Sequence, residues 1–359
     1  MKICLITNLF KPYKDWPKVY PETIAEGLAR ENEVIIISLK PFSGLSSLGT
    51  SIENLDGMKI YRFYPLNMYY RHYPDRYHPA WMKVIWHLID IWNPHSYFVV
   101  RKVLKQEKPD AVHTLRVDGI STSVFAAVKA SGCPHVHTVL DCALISPWAN
   151  LLRKGEMVKF NFFDRQYMRI NRFLSDSADV VLASYHFMLD IHLQNGYFKG
   201  CQTCVFPYPV RLRPRTLKSK HYKPIDLLYV GGLFEGKGIY VLLDAFKKLS
   251  RDDVNLHFVG TGPELEHLKE EAHSVGNVHI HEFINDDDLA EMYSRANITI
   301  VPTILPEDNP LVTIESFSFG TPVIGSNLDG IPETIIDGIN GRLFEPGDSS
   351  ALRDVLQDL

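Results

Sequence analysis

The sequence predicts an α/β protein made of two Rossmann-like domains, each built on a parallel sheet. Short apolar runs alternate with amphipathic stretches along the chain, which is the signature of β-α-β units. The alternation restarts after a Pro- and Arg-rich stretch at 206–215. At 359 residues the chain also exceeds the size at which one hydrophobic core usually keeps growing.

In the first half, the runs at 2–7, 34–38, 58–63, 111–114, 135–139 and 180–183 read as strands. Helical patterns fall between most of them: 21–30 sets Ile24, Ala25 and Leu28 on one face, and 160–174 carries a comparable stripe. A second strand series is expected at 225–230, 255–259, 278–281, 298–301 and 322–325. Proline removes ladder donors, so the stretch near 210 marks a linker, and the expected domains are 1–208 and 209–359.

The composition, 45% hydrophobic and 22% charged with a formal charge of -4, is that of a soluble globular protein. It offers no global basic excess to suggest nucleic acid as a partner, so any anion site must be local. The first residues read as a buried strand, broken by Asn8 and Lys11, rather than as a signal peptide. The best candidate span, 81–92, is interrupted by Lys83, His87 and Asp90 and falls short of the roughly 20 apolar residues needed to cross a bilayer. The expected location is cytoplasmic. Five cysteines argue against a disulfide scaffold, and Cys201 and Cys204 lack the further ligands a zinc site would need.

Residues 61–98 depart from the α/β rhythm. Tyr69, Tyr70, Tyr73, Tyr77, Trp81, Trp86 and Trp92 are interleaved with Arg71, His72, Arg76 and Lys83. The mixture fits contact with the inner face of a membrane, a sugar- or lipid-binding insertion, or a packed aromatic insertion. The sequence leaves all three open.

The most informative segment is the strand 225–230, followed by Gly-Gly-Leu-Phe-Glu-Gly-Lys-Gly at 231–238 and a helix. Free backbone N–H groups and a positive helix end converge at such a turn, and Lys237 adds a full charge, so an anion site is expected there. The turn is neither a dinucleotide fingerprint nor a P-loop. About seventy residues on, Glu307 and Glu315 stand eight residues apart around a helix start near Pro310, proline being favoured at the first helical position. Glu307 stays in the loop, while Glu315 sits about one turn inside the helix, where a carboxylate can accept from two adjacent hydroxyls such as a ribose diol. The amides of Asn309, Leu311 and Val312 can face a phosphate.

The glycine turn, the Glu-x7-Glu pair, Gly-Thr-Pro-Val at 320–323 and Gly-Ile-Pro-Glu-Thr-Ile-Ile-Asp-Gly-Ile-Asn-Gly at 330–341 together resemble the family 4 retaining glycosyltransferases. The likeness covers the whole second half; the first half matches more loosely, in strand order and in Pro-Asp-Ala-Val-His at 109–113. It implies the GT-B fold, with two sheets facing across a cleft, the acceptor on the first domain and a nucleotide sugar on the second. It further implies that Gly231, Gly232 and Lys237 meet the donor diphosphate, Glu307 the transferred sugar, Glu315 the ribose and Phe283 the nucleobase. Transfer would proceed with retention and without a covalent enzyme intermediate, to a glycan, lipid-linked or small-molecule acceptor. No cofactor or metal is implied beyond the donor itself.

The sequence departs from that pattern in four places. Gly232 stands where the family usually has Arg, and Leu140-Asp141 where it usually has a His-Asp pair. The residues 11–17 replace a Gly-Gly turn after the first strand, and the chain stops at Leu359, before the closing helix the family pattern leads one to expect. Asp141 remains a candidate acceptor-side base. His113 and His137 are placed at the cleft-side ends of their strands, where either could touch a sugar. Asp286, Asp287 and Asp288 read as the acidic start of a helix, not as a metal site. A non-catalytic sugar-nucleotide-binding module and a sugar-nucleotide epimerase or phosphorylase on the same scaffold are the competing readings.

Overall fold

The computed structural model describes residues 1–12, 19–70, 78–149, 151–153, 156–157, 159–207, 209, 220–221, 223–249, 251–282, 284–305 and 311–359. The chain divides into two compact units, Met1–Leu151 with Val158–Pro209, and Leu152–Met157 with Val210–Leu359. A short segment from the first half thus groups with the second, which the linear reading did not anticipate.

The first-half strands are β1 (Lys2–Ile6), β2 (Glu33–Leu39), β3 (Ser51–Leu55), β4 (Met58–Phe63), β5 (Ala111–Thr114), β6 (His135–Val139), the two-stranded ribbon β7 (Leu152–Arg153) and β8 (Glu156–Met157), β9 (Val180–Ala183) and β10 (Gln202–Val205). All but the ribbon form one sheet in the order β10-β9-β6-β5-β1-β2-β4-β3, parallel except for the β3–β4 hairpin. Its inner strands are apolar on both faces, as in β2, where six of seven residues are buried, because helices cover both sides of a parallel sheet.

The second-unit strands are β11 (Ile225–Val230), β12 (Val254–Val259), β13 (Val278–His281), β14 (Ile298–Val301), β15 (Val323–Ser326) and β16 (Gly341–Phe344). They lie in the order β13-β12-β11-β14-β15-β16, every pair parallel. Each unit closes its own core: one buried cluster runs from Cys4 to Phe198, and another from Ile225 to Leu356.

In both sheets the chain reverses its direction of growth beside the first strand, between β1 and β5 and between β11 and β14. Loops leaving the carboxyl ends of two such strands diverge to opposite faces and open a crevice, the usual ligand position in open α/β sheets.

Three of the strands that the sequence reading passed over are edge strands. β3 (Ser-Ile-Glu-Asn-Leu), β10 (Gln-Thr-Cys-Val) and β16 (Gly-Arg-Leu-Phe) each present one side to solvent and so lack the continuous apolar run. Within the aromatic segment, Trp86 is buried, and its indole N–H donates to the Tyr69 carbonyl at 2.9 Å. Trp81 and Leu88 on the same helix, Ala80–Ile91, are exposed. Packing and exposure thus divide one helix between them. Residues 71–77 lie outside the described residues.

Candidate functional site

The glycine turn leaves β11 and meets the loop that leaves β14. Glu235–Lys237 form a single 3-10 turn, and Gly238 then caps the helix Ile239–Lys247 with φ 72°. A Cβ at Gly238 would lie 1.8 Å from the Pro302 carbonyl oxygen, and one at Gly236 would lie 2.2 Å from Leu305 Cδ1. Only glycine permits this approach at 238, since both the positive φ and the carbonyl exclude a side chain. Hydrogen bonds lock the contact: Ile304 N–H donates to the Gly236 carbonyl at 3.0 Å, and the Thr303 hydroxyl lies 3.2 Å from the carbonyl oxygens of Gly236 and Leu305. The glycine turn is therefore packed against the β14 loop at the sheet's reversal point, just before the segment 306–323 that the sequence pairs with it in one anion site.

The β14 loop leads, through residues 306–310 outside the described ones, to the helix Leu311–Ser318. Its far end is anchored beneath the sheet. Ser316 Oγ donates to Thr299 Oγ1 at 2.8 Å and reaches the Thr321 carbonyl at 2.9 Å, while the Thr321 hydroxyl donates to the Tyr293 carbonyl at 3.0 Å. Glu315, one turn in, accepts the Tyr293 hydroxyl at 2.9 Å. Tyr293 is buried and stacks on Phe319 with ring centroids 5.3 Å apart.

Lys237 sits half-buried at the end of the 3-10 turn, its Nζ 5.9 Å from the centre of the Phe234 ring. Burial pushes its ammonium down to about 8, because removing water penalises the charged form. Gly231 and Gly232 occupy the first two positions after β11. The Phe234 ring lies against Gly232, 2.9 Å from where a Cβ would stand. An Arg stem there would have to displace that ring. Phe283, Glu307 and Asn309 lie outside the described residues.

The helix Asp286–Arg295 is capped by Asn285, whose side chain accepts from the Asp287 and Asp288 amides at 3.0 and 2.9 Å. The three aspartates fill its first turn, where negative charge complements the helix dipole. Among the described residues, no cluster of three or more His, Cys, Asp or Glu is placed to hold a metal ion. Cys201 and Cys204 are free, and burial pushes the Cys201 thiol up to about 11.

The first unit has a polar recess at its own reversal point. Asn8, just past β1, donates to the Asp118 carboxylate at 2.9 Å. Arg116, just past β5, reaches that carboxylate at 3.2 Å and Asp141 at 3.1 Å. Asp141 also accepts the Ala143 amide at 2.8 Å, which fixes its orientation. Asp90, Thr138 and Tyr167 line the same recess. No motif announces Arg116, Asp118 or Asp90; the usable signal was their position directly beyond strand ends or on the flanking helix.

Both histidines, expected at the cleft-side ends of their strands, make side-chain hydrogen bonds to neighbouring threonines. His113 is turned into the sheet's cover, with Nε2 2.7 Å from Thr138 Oγ1, and burial pushes it down to about 4. His137 is buried, paired with the Thr114 hydroxyl at 2.9 Å and set edge-on to Phe125, and it titrates well below its ordinary range. It forms part of the recess wall, whereas His113 does not.

Two α/β units with this strand order, and a glycine turn locked to the β14 loop at the second reversal point, make the chain a GT-B glycosyltransferase. It belongs to the group 1 glycosyltransferases of the glycosyl transferase 4-like type: residues 18–209 match the glycosyl transferase 4-like domain and 215–359 match glycosyl transferases group 1. Among curated relatives, an uncharacterized 42.6 kDa protein in the cps region of Klebsiella pneumoniae is 25% identical over 93% of this chain and 87% of its own length. The phosphatidyl-myo-inositol mannosyltransferase of Mycobacterium leprae is 37% identical over 33% of each chain. Among solved structures, sucrose-phosphate synthase from Thermosynechococcus elongatus aligns with a TM-score of 0.69 at 19% identity, covering 99% of this chain and 89% of that one. HepE from Anabaena, solved in complex with UDP, aligns with a TM-score of 0.68 at 17% identity, covering 100% and 89%. Among the described residues, no helix is long and apolar enough to cross a membrane.

Proposed function

We propose that this glycosyltransferase moves a sugar from a nucleotide-diphosphate sugar to a hydroxyl of a glycan, lipid-linked or small-molecule acceptor, with retention and without a metal ion. One observation carries the reading: the glycine turn bearing Lys237 is fixed by backbone contacts to the loop that opens the Glu315 helix. In this reading a diphosphate at that junction meets the Lys237 ammonium and the positive end of the Glu315 helix, which would supply in fixed form the field that a metal otherwise provides. Structures of HepE in complex with UDP and with UDP-glucose support a nucleotide-sugar donor for this fold.

In this reading Lys237 stabilises the departing diphosphate, Glu307 orients the transferred sugar and Glu315 accepts from the ribose hydroxyls. Gly231 and Gly232 admit the diphosphate, Asn309, Leu311 and Val312 offer amides to it, and Phe283 lies against the base. The bond from sugar C1 to the diphosphate oxygen breaks, with its electron pair leaving on the diphosphate. The acceptor oxygen bonds to C1 on the same face, and its proton passes to Asp141. The recess around Asp141 and Arg116 would take a polyhydroxyl acceptor, since carboxylates and guanidinium groups bind sugar hydroxyls from both sides of the hydrogen bond. The protein would work in the cytoplasm, at the inner face of a membrane.

The test is incubation with a panel of nucleotide sugars in the presence of a chelator, scoring free nucleotide, donor isomerisation and binding separately. Transfer with the donor's anomeric configuration preserved in the product is expected. Isomerisation alone, inversion, or activity that the chelator abolishes would refute the corresponding part of the reading.

A further inference from the structure

The first unit presents two adjoining helices whose solvent faces are apolar. On Ala80–Ile91, Trp81, Val84, Ile85 and Leu88 recur at helical spacing and are exposed, Trp81 by 59% and Leu88 by 62%. The helix Phe162–Ser175 packs beside it and exposes Phe163 by 80% and Phe173 by 81%. Trp148, also exposed, joins the first helix through an edge contact with His87 at 5.2 Å. A soluble surface rarely leaves so many large side chains contiguous and uncovered.

The charges on these two helices are mostly positive. Lys83 lies on the first helix, and Arg165 and Arg169 stand exposed on the second. The acids on these helices are already engaged: Asp164 closes the capping box with Asn161, and Asp90 accepts the Gly119 amide at 2.9 Å. An outward stripe of Trp, Leu and Phe with cations alongside is the pattern of a helix pair lying in a bilayer interface, where indoles sit at headgroup depth and guanidinium groups meet phosphates. A second copy of the chain is a poorer occupant. A two-fold dimer would bring two copies of the same mostly positive face together.

We propose that the exposed face of Ala80–Ile91 and Phe162–Ser175 is a membrane-docking surface selective for anionic lipid headgroups. It gives the peripheral placement within the proposed function a specific surface and rests on that reading only for its purpose, not for its binding.

Flotation of the full chain with vesicles of phosphatidylcholine, alone or mixed with phosphatidylglycerol, tests it. Recovery is expected with the mixed vesicles, weakened by added salt, together with a blue shift of tryptophan emission. The exposed pair Trp81→Ala/Leu88→Ala should lower the apparent affinity about tenfold or more, and Arg165→Glu/Arg169→Glu by a similar factor, at about fivefold per cation before reversal is counted. Unaltered circular dichroism would show that both variants fold. Absence of flotation, or equal flotation of parent and variants, would overturn the proposal, as would a concentration-dependent dimer that the same substitutions dissolve. Nucleotide release from a soluble donor, read without vesicles, separates the two readings: its absence in the parent would sink the transfer chemistry and leave the flotation result standing.

Discussion

The hydroxyl of Tyr293 donates to a carboxylate oxygen of Glu315 at 2.9 Å, so the residue expected to hold a ribose is itself held by a buried phenol. Burial and the neighbouring carboxylate keep that phenol protonated, its pKa raised well above the ordinary value. Glu315→Ala removes the proposed ribose acceptor and also takes the Glu315 carboxylate from the Tyr293 hydroxyl. The expected outcome is nucleotide affinity lower by about ten- to a hundredfold and stability lower by about 1–3 kcal/mol. Glu315→Gln should recover most of the stability and less of the affinity. Calorimetric titration with the nucleotide, paired with urea unfolding, measures both, and equal effects from the two variants would contradict the arrangement.

If Lys237 holds the donor as proposed, donor binding has a pH dependence of definite sign. Burial pushes its ammonium down to about 8, and a diphosphate bound beside it would raise that value. Donor affinity should therefore fall as pH climbs past 8, by at most about tenfold per pH unit. Lys237→Met should bind weakly at every pH and show no such slope. The apo protein should behave in the opposite sense. Between about 8 and the ordinary lysine value of 10.5 the unfolded chain holds more protons, so this residue's contribution to folding stability rises with pH there. Affinity measured from pH 7 to 9.5 on parent and variant checks the first claim.

Gly238→Ala tests whether the two donor-facing segments depend on their close approach. The new methyl would meet the Pro302 carbonyl at 1.8 Å on a backbone with φ 72°. A loss of about 2–4 kcal/mol is expected from strain and overpacking together. Nucleotide binding should weaken even where the variant remains folded. The control is Gly57→Ala, which has a similar positive φ but nothing within 4 Å of the added carbon and should cost only about 1 kcal/mol.

The first unit should be sensitive to mild acid. Burial holds His113, His135 and His192 down to about 4 and His137 well below its ordinary range, so all four are folded in the neutral form. From the ordinary value of 6.5 down to about 4 the unfolded chain takes up more protons than the folded one. Stability is thus present above 6.5 and lost as pH falls through that window, by up to about 3 kcal/mol for each histidine. Urea midpoints at pH 7, 5.5 and 4.5 report this directly; a constant midpoint would show that these rings are not held neutral.

How much of this was legible in the sequence follows from where each residue stands relative to water. β11 (Ile-Asp-Leu-Leu-Tyr-Val) and β14 (Ile-Thr-Ile-Val) read as strands because parallel strands covered on both faces are apolar runs. The edge strands β3, β10 and β16 escaped because half of each faces solvent. Lys237 and Glu315 could be named because glycine punctuation and helix-start chemistry are local. Thr303 could not: its role is to bridge the Gly236 and Leu305 carbonyls, and a lone threonine in a loop shows none of that. Trp81 and Trp86 show the same limit within one helix. Both are apolar, yet one is exposed and the other buried, and only packing such as the Tyr69 ring stacked on Trp86 at 5.8 Å decides which.

The repetition of one strand order in two separately cored halves carries an evolutionary consequence. In the proposed reading, loops past β1, β5 and β6 can be rewritten to greet a new acceptor while the machinery past β11 and β14 is inherited unchanged. A lineage built this way can diversify its products by editing one half of the gene and keeping the other as a common chassis.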